Sequence, residues 1–204
     1  MENQLLLASR SPRRQDLLRQ LGLRFALCAA DVLEQPRPGE AATDYACRMA
    51  LAKAHAGRQA SGTTMLPVLG ADTDVVLDGE VLGKPADRDH GIALLQRLSG
   101  RTHQVVSAVA LVDGARQAVR LSVTEVCFGD ITPAMAQAYW ASGEPADKAG
   151  GYAIQGLGAA FVREIRGSYS GVVGLPLYET CELLRDFGIE VVASAVSRPP
   201  SHTP

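Results

Sequence analysis

Cysteine and histidine are scarce in this 204-residue chain, four of each, and neither is paired in sequence. Cys28, Cys47, Cys127 and Cys181 stand far apart with no C-x-x-C step, which argues against a secreted disulfide framework and a thiolate zinc site. They read as buried thiols acting as small hydrophobes. His55, His90, His103 and His202 form no H-x-x-x-H pair, so any metal should be a hard cation held by carboxylates. Aromatic residues make up only 5% of the chain and the net charge is −2. It therefore offers neither a stacking platform nor a basic stripe for nucleic acid, and no field draws it to an anionic membrane. No apolar run approaches the roughly 18 residues that span a bilayer, and the start lacks a basic, apolar, cleavable leader. The expectation is a soluble cytoplasmic protein. P-loop, Rossmann and serine-hydrolase readings lack their G-x-x-x-x-G-K-[ST], G-x-G-x-x-G and G-x-S-x-G signatures.

What the chain does contain begins at its start. The apolar run Leu5-Leu6-Leu7-Ala8 leads into Ser9-Arg10-Ser11-Pro12-Arg13-Arg14. A strand ends there, Ser11 stands where a helix N-cap belongs, and Pro12 takes the first helical position, where its missing N–H costs nothing. Free amides, two hydroxyls and two guanidinium groups then surround the positive end of a helix dipole. That chemistry suits an anion with several oxygens, phosphate above all.

With 47% hydrophobic content the chain can bury a substantial core. Helices are expected over Pro12–Leu21, Thr43–Arg58, Asp87–Leu98, Met135–Ser142 and Leu177–Phe187, with glycines stopping several of them. Asp78-Gly79 between Val75-Val76-Leu77 and Val81-Leu82 marks a tight hairpin. Thr102–Val112 and Gln117–Phe128 read as a long antiparallel pair, and Ala159–Ile165 as a further strand. Hairpins interrupting a strand–helix alternation predict an α/β fold with a mixed sheet. One domain is expected over residues 1–196, with a disordered tail from 197 to 204.

Candidate chemistry gathers at a few points. Val68 to Asp72 reads as a buried strand with Asp72 at its carboxyl end, where open sheets place their sites. A carboxylate there can hold a divalent cation, take a proton from water, or merely cap a loop. Asp74, on the same side if the strand continued, is a candidate second ligand, with a solvated or turn role favoured. Lys53 shares the helix face of Met49 and can reach inward, and Lys84 stands at the hairpin's exit. Glu34, before the proline-rich loop, is a further candidate metal ligand. Gln155, in a glycine-rich segment, offers both the donor and the acceptor that reading a uracil or thymine edge requires.

Together these segments resemble the Maf family of nucleotide pyrophosphatases. The resemblance rests on Ser9 to Arg14, Gly70 to Thr73, Gly83-Lys84-Pro85, Leu98 to His103, Asp147 to Gly156 and Gly167 to Pro176, in order. It implies an elongated mixed-sheet fold related to inosine triphosphate pyrophosphatases, two lobes flanking a cleft, and a homodimer. The branch acting on dTTP and UTP is closest, because Arg13, Thr73 and Gln155 match its marks. The sister branch acting on 7-methyl-GTP, or a non-catalytic nucleotide-binding regulator of cell division, are the alternatives. The implied reaction hydrolyses a nucleoside triphosphate to the monophosphate and pyrophosphate, with Asp72 as general base. Ser9, Arg13, Arg14, Lys53 and Lys84 would bind the triphosphate, while Thr73 and Gln155 select the base. A magnesium or manganese ion would be held by Asp72 and Glu34. Two departures from the family pattern stand out: Leu33-Glu34 leaves one carboxylate where many members have an acidic pair, and Asp74 replaces an aliphatic residue.

Overall fold

The computed structural model describes residues 2–62, 65–114 and 116–191; the tail from Ser197 and His202 lie outside them. The described residues build a seven-stranded mixed sheet. Strand β1 (Leu5–Leu7) lies parallel between β2 (Phe25–Leu27) and β3 (Val68–Leu77). On its other side β3 pairs antiparallel with β5 (Thr102–Asp113), then come β6 (Arg116–Phe128) and β7 (Val162–Arg166). The short β4 (Glu80–Leu82) folds back on β3 through Asp78-Gly79, whose φ values of 53° and 82° are those the dipeptide was expected to supply.

Alternation along β3 divides the core. Leu69, Ala71, Val75 and Leu77 point to a large apolar cluster shared with α1 (Pro12–Gln20), α3 (Arg88–Leu98) and α6 (Leu177–Asp186). Val76 faces the other way, and with Val106, Ala108, Ala110 and Val112 it packs on Ala46, Ala50 and Ala54 of α2 (Ala42–Ala60). Small side chains on both surfaces bring α2 close to the sheet. The closest approach is at Gly70, where an added Cβ would lie 2.2 Å from the Ala50 carbonyl oxygen. The remaining helices are α4 (Pro133–Ala141), capped by Thr132, and the short α5 (Tyr169–Val173).

Two expectations shift. The strand placed at Ala159 begins at Val162, because Leu157–Phe161 coils into a 3-10 turn. The strand expected to end at Asp72 runs on to Leu77, since β5 pairs with it continuously from Val68 to Val76.

One feature of this topology makes the site. β1 and β4 share one edge of β3, but β1 pairs only with Val68 and Leu69, and β4 only with Val75 to Leu77. Between them β3 has an open edge centred on Asp72 and Thr73. Residues on both faces of the strand can therefore line one cavity.

Candidate active site

That opening is the wall of a cavity of about 410 Å³. Ser9, Arg13, Arg14, Glu34, Lys53, Asp72, Thr73, Lys84 and Gln155 all line it, so the chain brings together every residue expected to bind or hydrolyse the nucleotide, while Asp74 stays outside the lining. They come from the β1–α1 turn, the loop before α2, α2 itself, the middle of β3, the exit of β4 and the segment before β7.

Asp72 lies mid-strand, opposite Ala108 in the register, and is 6% exposed. Lys53, 8% exposed, projects from α2 and places Nζ 2.6 Å from Asp72 Oδ1 and 2.6 Å from Glu34 Oε1. The ammonium thus joins two acids from different elements, as a buried charge requires. Burial works to raise the Glu34 carboxyl, but the hydrogen bond from Lys53 and the charges of Lys53, Lys84 and Arg14 hold it below its ordinary range.

Asp74 overturns its expected solvated role. Because β3 continues, it stands on the Asp72 face with Oδ2 buried and without a hydrogen-bond partner. Burial first, and then the charge of Asp72, push its carboxyl up to about 8. Tyr45, across from this group on α2, is raised to about 12 by burial and by Asp72, Asp74 and Glu34.

The β1–α1 turn is built differently from expectation. Ser11 occupies the N-cap position and Pro12 the first helical one, but the Ser11 side chain caps nothing. Ser9 Oγ instead accepts from the Ser11 amide and from Arg14 Nη1, both at 3.2 Å. The first-turn amides of α1 are left without a side-chain cap, and that strengthens the anion-binding character of the turn. Arg14 is strapped in place: its Nε donates to the Gly174 carbonyl at 2.8 Å. Burial lowers its guanidinium from the ordinary value, opposed chiefly by Asp72. Arg13 reaches toward Asp147, 4.0 Å away.

Thr73 points to the face opposite Asp72. Its hydroxyl lies 3.3 Å from the Gly174 carbonyl oxygen and 3.1 Å from the Ser107 hydroxyl. Ser107 also donates to the Gly171 carbonyl at 2.6 Å, so it ties the loop carrying Gly174 to β5. Sequence reasoning missed Ser107, a serine inside an apolar strand run that carries no motif. It also missed Asp147, Lys148 and Tyr152 as lining residues, although they lie in the glycine-rich segment it identified.

Among the described residues, no cluster of three or more His, Cys, Asp or Glu is arranged to hold a metal ion. Asp72 and Glu34 still suit one, because both carboxylates line the cavity and converge on Lys53. Magnesium is commonly held by one or two carboxylates, with phosphate oxygens and water completing its shell.

A mixed-sheet α/β protein with an acid-floored, cation-walled cavity at an open strand edge is a protein built to receive a polyphosphate. The comparisons narrow that class: the family described as Maf-like protein matches residues 4–187, and this chain belongs to the Maf family. A dTTP/UTP pyrophosphatase of Saccharophagus degradans is 54% identical over 189 residues, covering 92% of this chain and 90% of that one. A dTTP/UTP pyrophosphatase of Escherichia coli O157:H7 is 55% identical over 183 residues, covering 90% and 92%. One from Methylococcus capsulatus is 53% identical over 189 residues, covering 91% of each. A solved nucleoside-triphosphatase / dITP/XTP pyrophosphatase from Mycobacterium abscessus aligns over 96% of this chain and 97% of that one. At 20% identity and a TM-score of 0.42, it is too distant to argue from.

Proposed function

We propose that this protein hydrolyses dTTP and UTP to the nucleoside monophosphate and pyrophosphate. The observation that carries the reading is the placement of Asp72, an acid at the floor of a cavity walled by Arg13, Arg14, Lys53 and Lys84. Curated relatives above 50% identity named for this activity support it.

The triphosphate binds with its oxygens against the β1–α1 turn, where uncapped amides, Ser9 and two arginines meet. Asp72 takes the proton of the water that attacks the α-phosphorus. As the bond to the β-phosphate breaks, charge develops on the departing pyrophosphate and the arginines and lysines stabilise it. Lys53 pairs with Asp72 and orients it. A magnesium or manganese ion, held by Asp72 and Glu34, would neutralise phosphate charge and acidify water. Gln155, on the exposed rim, reads the pyrimidine edge with its paired donor and acceptor.

Product identity tests the reading. Purified protein with UTP and magnesium is expected to release UMP and pyrophosphate in equal amounts. Release of UDP and inorganic phosphate, or faster turnover of 7-methyl-GTP than of UTP, would overturn it. Among the described residues no helix is long and apolar enough to cross a membrane.

A further inference from the structure

Gln155 is exposed, and among the described residues its side chain has no hydrogen-bond partner, so only its backbone can fix where its amide points. That backbone is gripped on both flanks by one pair of side chains. Two residues before Gln155, the Ala153 amide donates to the Tyr139 hydroxyl at 3.0 Å. Two and three residues after it, the Leu157 and Gly158 amides donate to Glu144 Oε2 and Oε1 at 2.8 and 3.0 Å. Tyr139 closes the circuit by donating to Glu144 Oε1 at 2.6 Å.

The glycines around Gln155 fit this carboxylate. A Cβ at Gly156 would lie 2.2 Å from Glu144 Oε2, and one at Gly158 would lie 2.7 Å from the Tyr139 hydroxyl. The turn therefore closes over Glu144 as a hand closes over a peg. Charge-assisted hydrogen bonds of this kind are about twice as strong as neutral ones. Burial works to raise the Glu144 carboxyl, yet the Tyr139 hydroxyl, the two amides and Lys148 hold it below its ordinary value. It stays an anion at neutral pH, able to accept all three bonds.

From this geometry we infer that Glu144, acting with Tyr139, is a positioning residue for base selection: it sets the turn that presents Gln155 to the uracil or thymine edge. The inference rests on the reading of Gln155 given under the proposed function. Neither Glu144 nor Tyr139 lines the cavity, so any effect they have on specificity must pass through the turn.

The test compares kcat and KM for UTP and CTP in the wild type, Glu144→Ala, Gln155→Ala and the double variant. Glu144→Ala is expected to reduce the UTP-over-CTP preference in kcat/KM by about tenfold, the worth of one hydrogen bond, mainly through KM for UTP. Because both changes act on the same contact, adding Glu144→Ala to Gln155→Ala should alter the preference by no more than about twofold. Equal losses toward UTP and CTP, or losses that multiply in the double variant, would assign Glu144 a structural role only and overturn the inference. If Glu144→Ala does not fold, Tyr139→Phe keeps the ring and removes one link. It should then lower the preference by about threefold, and an unchanged preference overturns the inference. An unchanged preference in Gln155→Ala removes the base-reading role itself and the inference with it. Failure of the wild type to cleave UTP would instead strike the proposed function.

Discussion

Lys53 Nζ stands 2.6 Å from an oxygen of Asp72 and 2.6 Å from an oxygen of Glu34, and it is the sole ammonium making these contacts among the described residues. A helix, a strand and a loop thereby converge on a single point. The relationship gives Asp72 an orientation and pairs its carboxylate in a buried setting.

Removing the ammonium strands the acid. Lys53→Met should destabilise the protein by about 3 kcal/mol, because it leaves Asp72 buried and unpaired beside Asp74. Urea unfolding followed by circular dichroism checks this, and an unchanged midpoint would show that the pair contributes nothing.

The approach of α2 to β3 should be as sensitive as the ion pair it delivers. In Gly70→Ala the new methyl would meet the Ala50 carbonyl and the Ala54 amide at 2.2 and 2.6 Å, both backbone atoms. The helix must move outward and carry Lys53 away from Asp72. Overpacking of this kind costs about 1–3 kcal/mol, and kcat should fall along with thermal stability. Retained kcat with reduced stability would show that Lys53 can follow Asp72 across the gap.

Much of this architecture was legible in the residues, and the failures share a cause. The β1–α1 turn, the Asp78-Gly79 hairpin and the β5–β6 pair announced themselves through local chemistry: a proline at a helix start, a dipeptide tolerant of positive φ, and two long apolar-rich runs joined by Asp113-Gly114. What could not be read was context. Asp72 and Asp74 look like the end of a strand because two acids in an apolar run contradict a buried strand, and only Lys53, 19 residues from Asp72 in sequence, makes Asp72 tolerable there. Ser11 had the sequence of a cap, but its side chain caps nothing and its amide donates to Ser9 instead. The helix Tyr169–Val173 was hidden in a Gly-Ser-Tyr-Ser-Gly stretch of weak helix formers, held by Ser168 and by the Ser107 contact.

Asp74 occupies an unfavourable position. Burial and Asp72 keep its carboxyl protonated up to about 8, whereas the unfolded chain loses that proton near the ordinary value of 3.8. An acid raised in the folded state withdraws stability as pH climbs between those two values. Asp74→Asn should therefore raise the Tm at pH 8 by about 4 °C in metal-free buffer, and by less at pH 5. A lower Tm at pH 8 would show that Asp74 has a stabilising partner.

His103 should give the fold an acid limit. It is 2% exposed, shares a 2.8 Å hydrogen bond with Tyr152, and has Nδ1 unpartnered. Burial lowers its pKa from 6.5 to about 4. A histidine held neutral by folding contributes fully above its unfolded value, and that contribution is lost as pH falls from 6.5 toward 4. The loss is on the order of 3 kcal/mol. His103→Phe should flatten stability against pH across that window, measured by urea unfolding at half-unit steps. An equally steep profile in the variant would place the acid sensitivity elsewhere.

The most direct test of the whole account is pyrophosphate release from UTP and magnesium by Asp72→Asn beside the wild type, with the Tm of both recorded. A general base contributes about 10²–10⁴-fold, so turnover should drop by that factor in a variant that remains folded. Turnover close to wild type would contradict the placement of Asp72 at the centre of the chemistry.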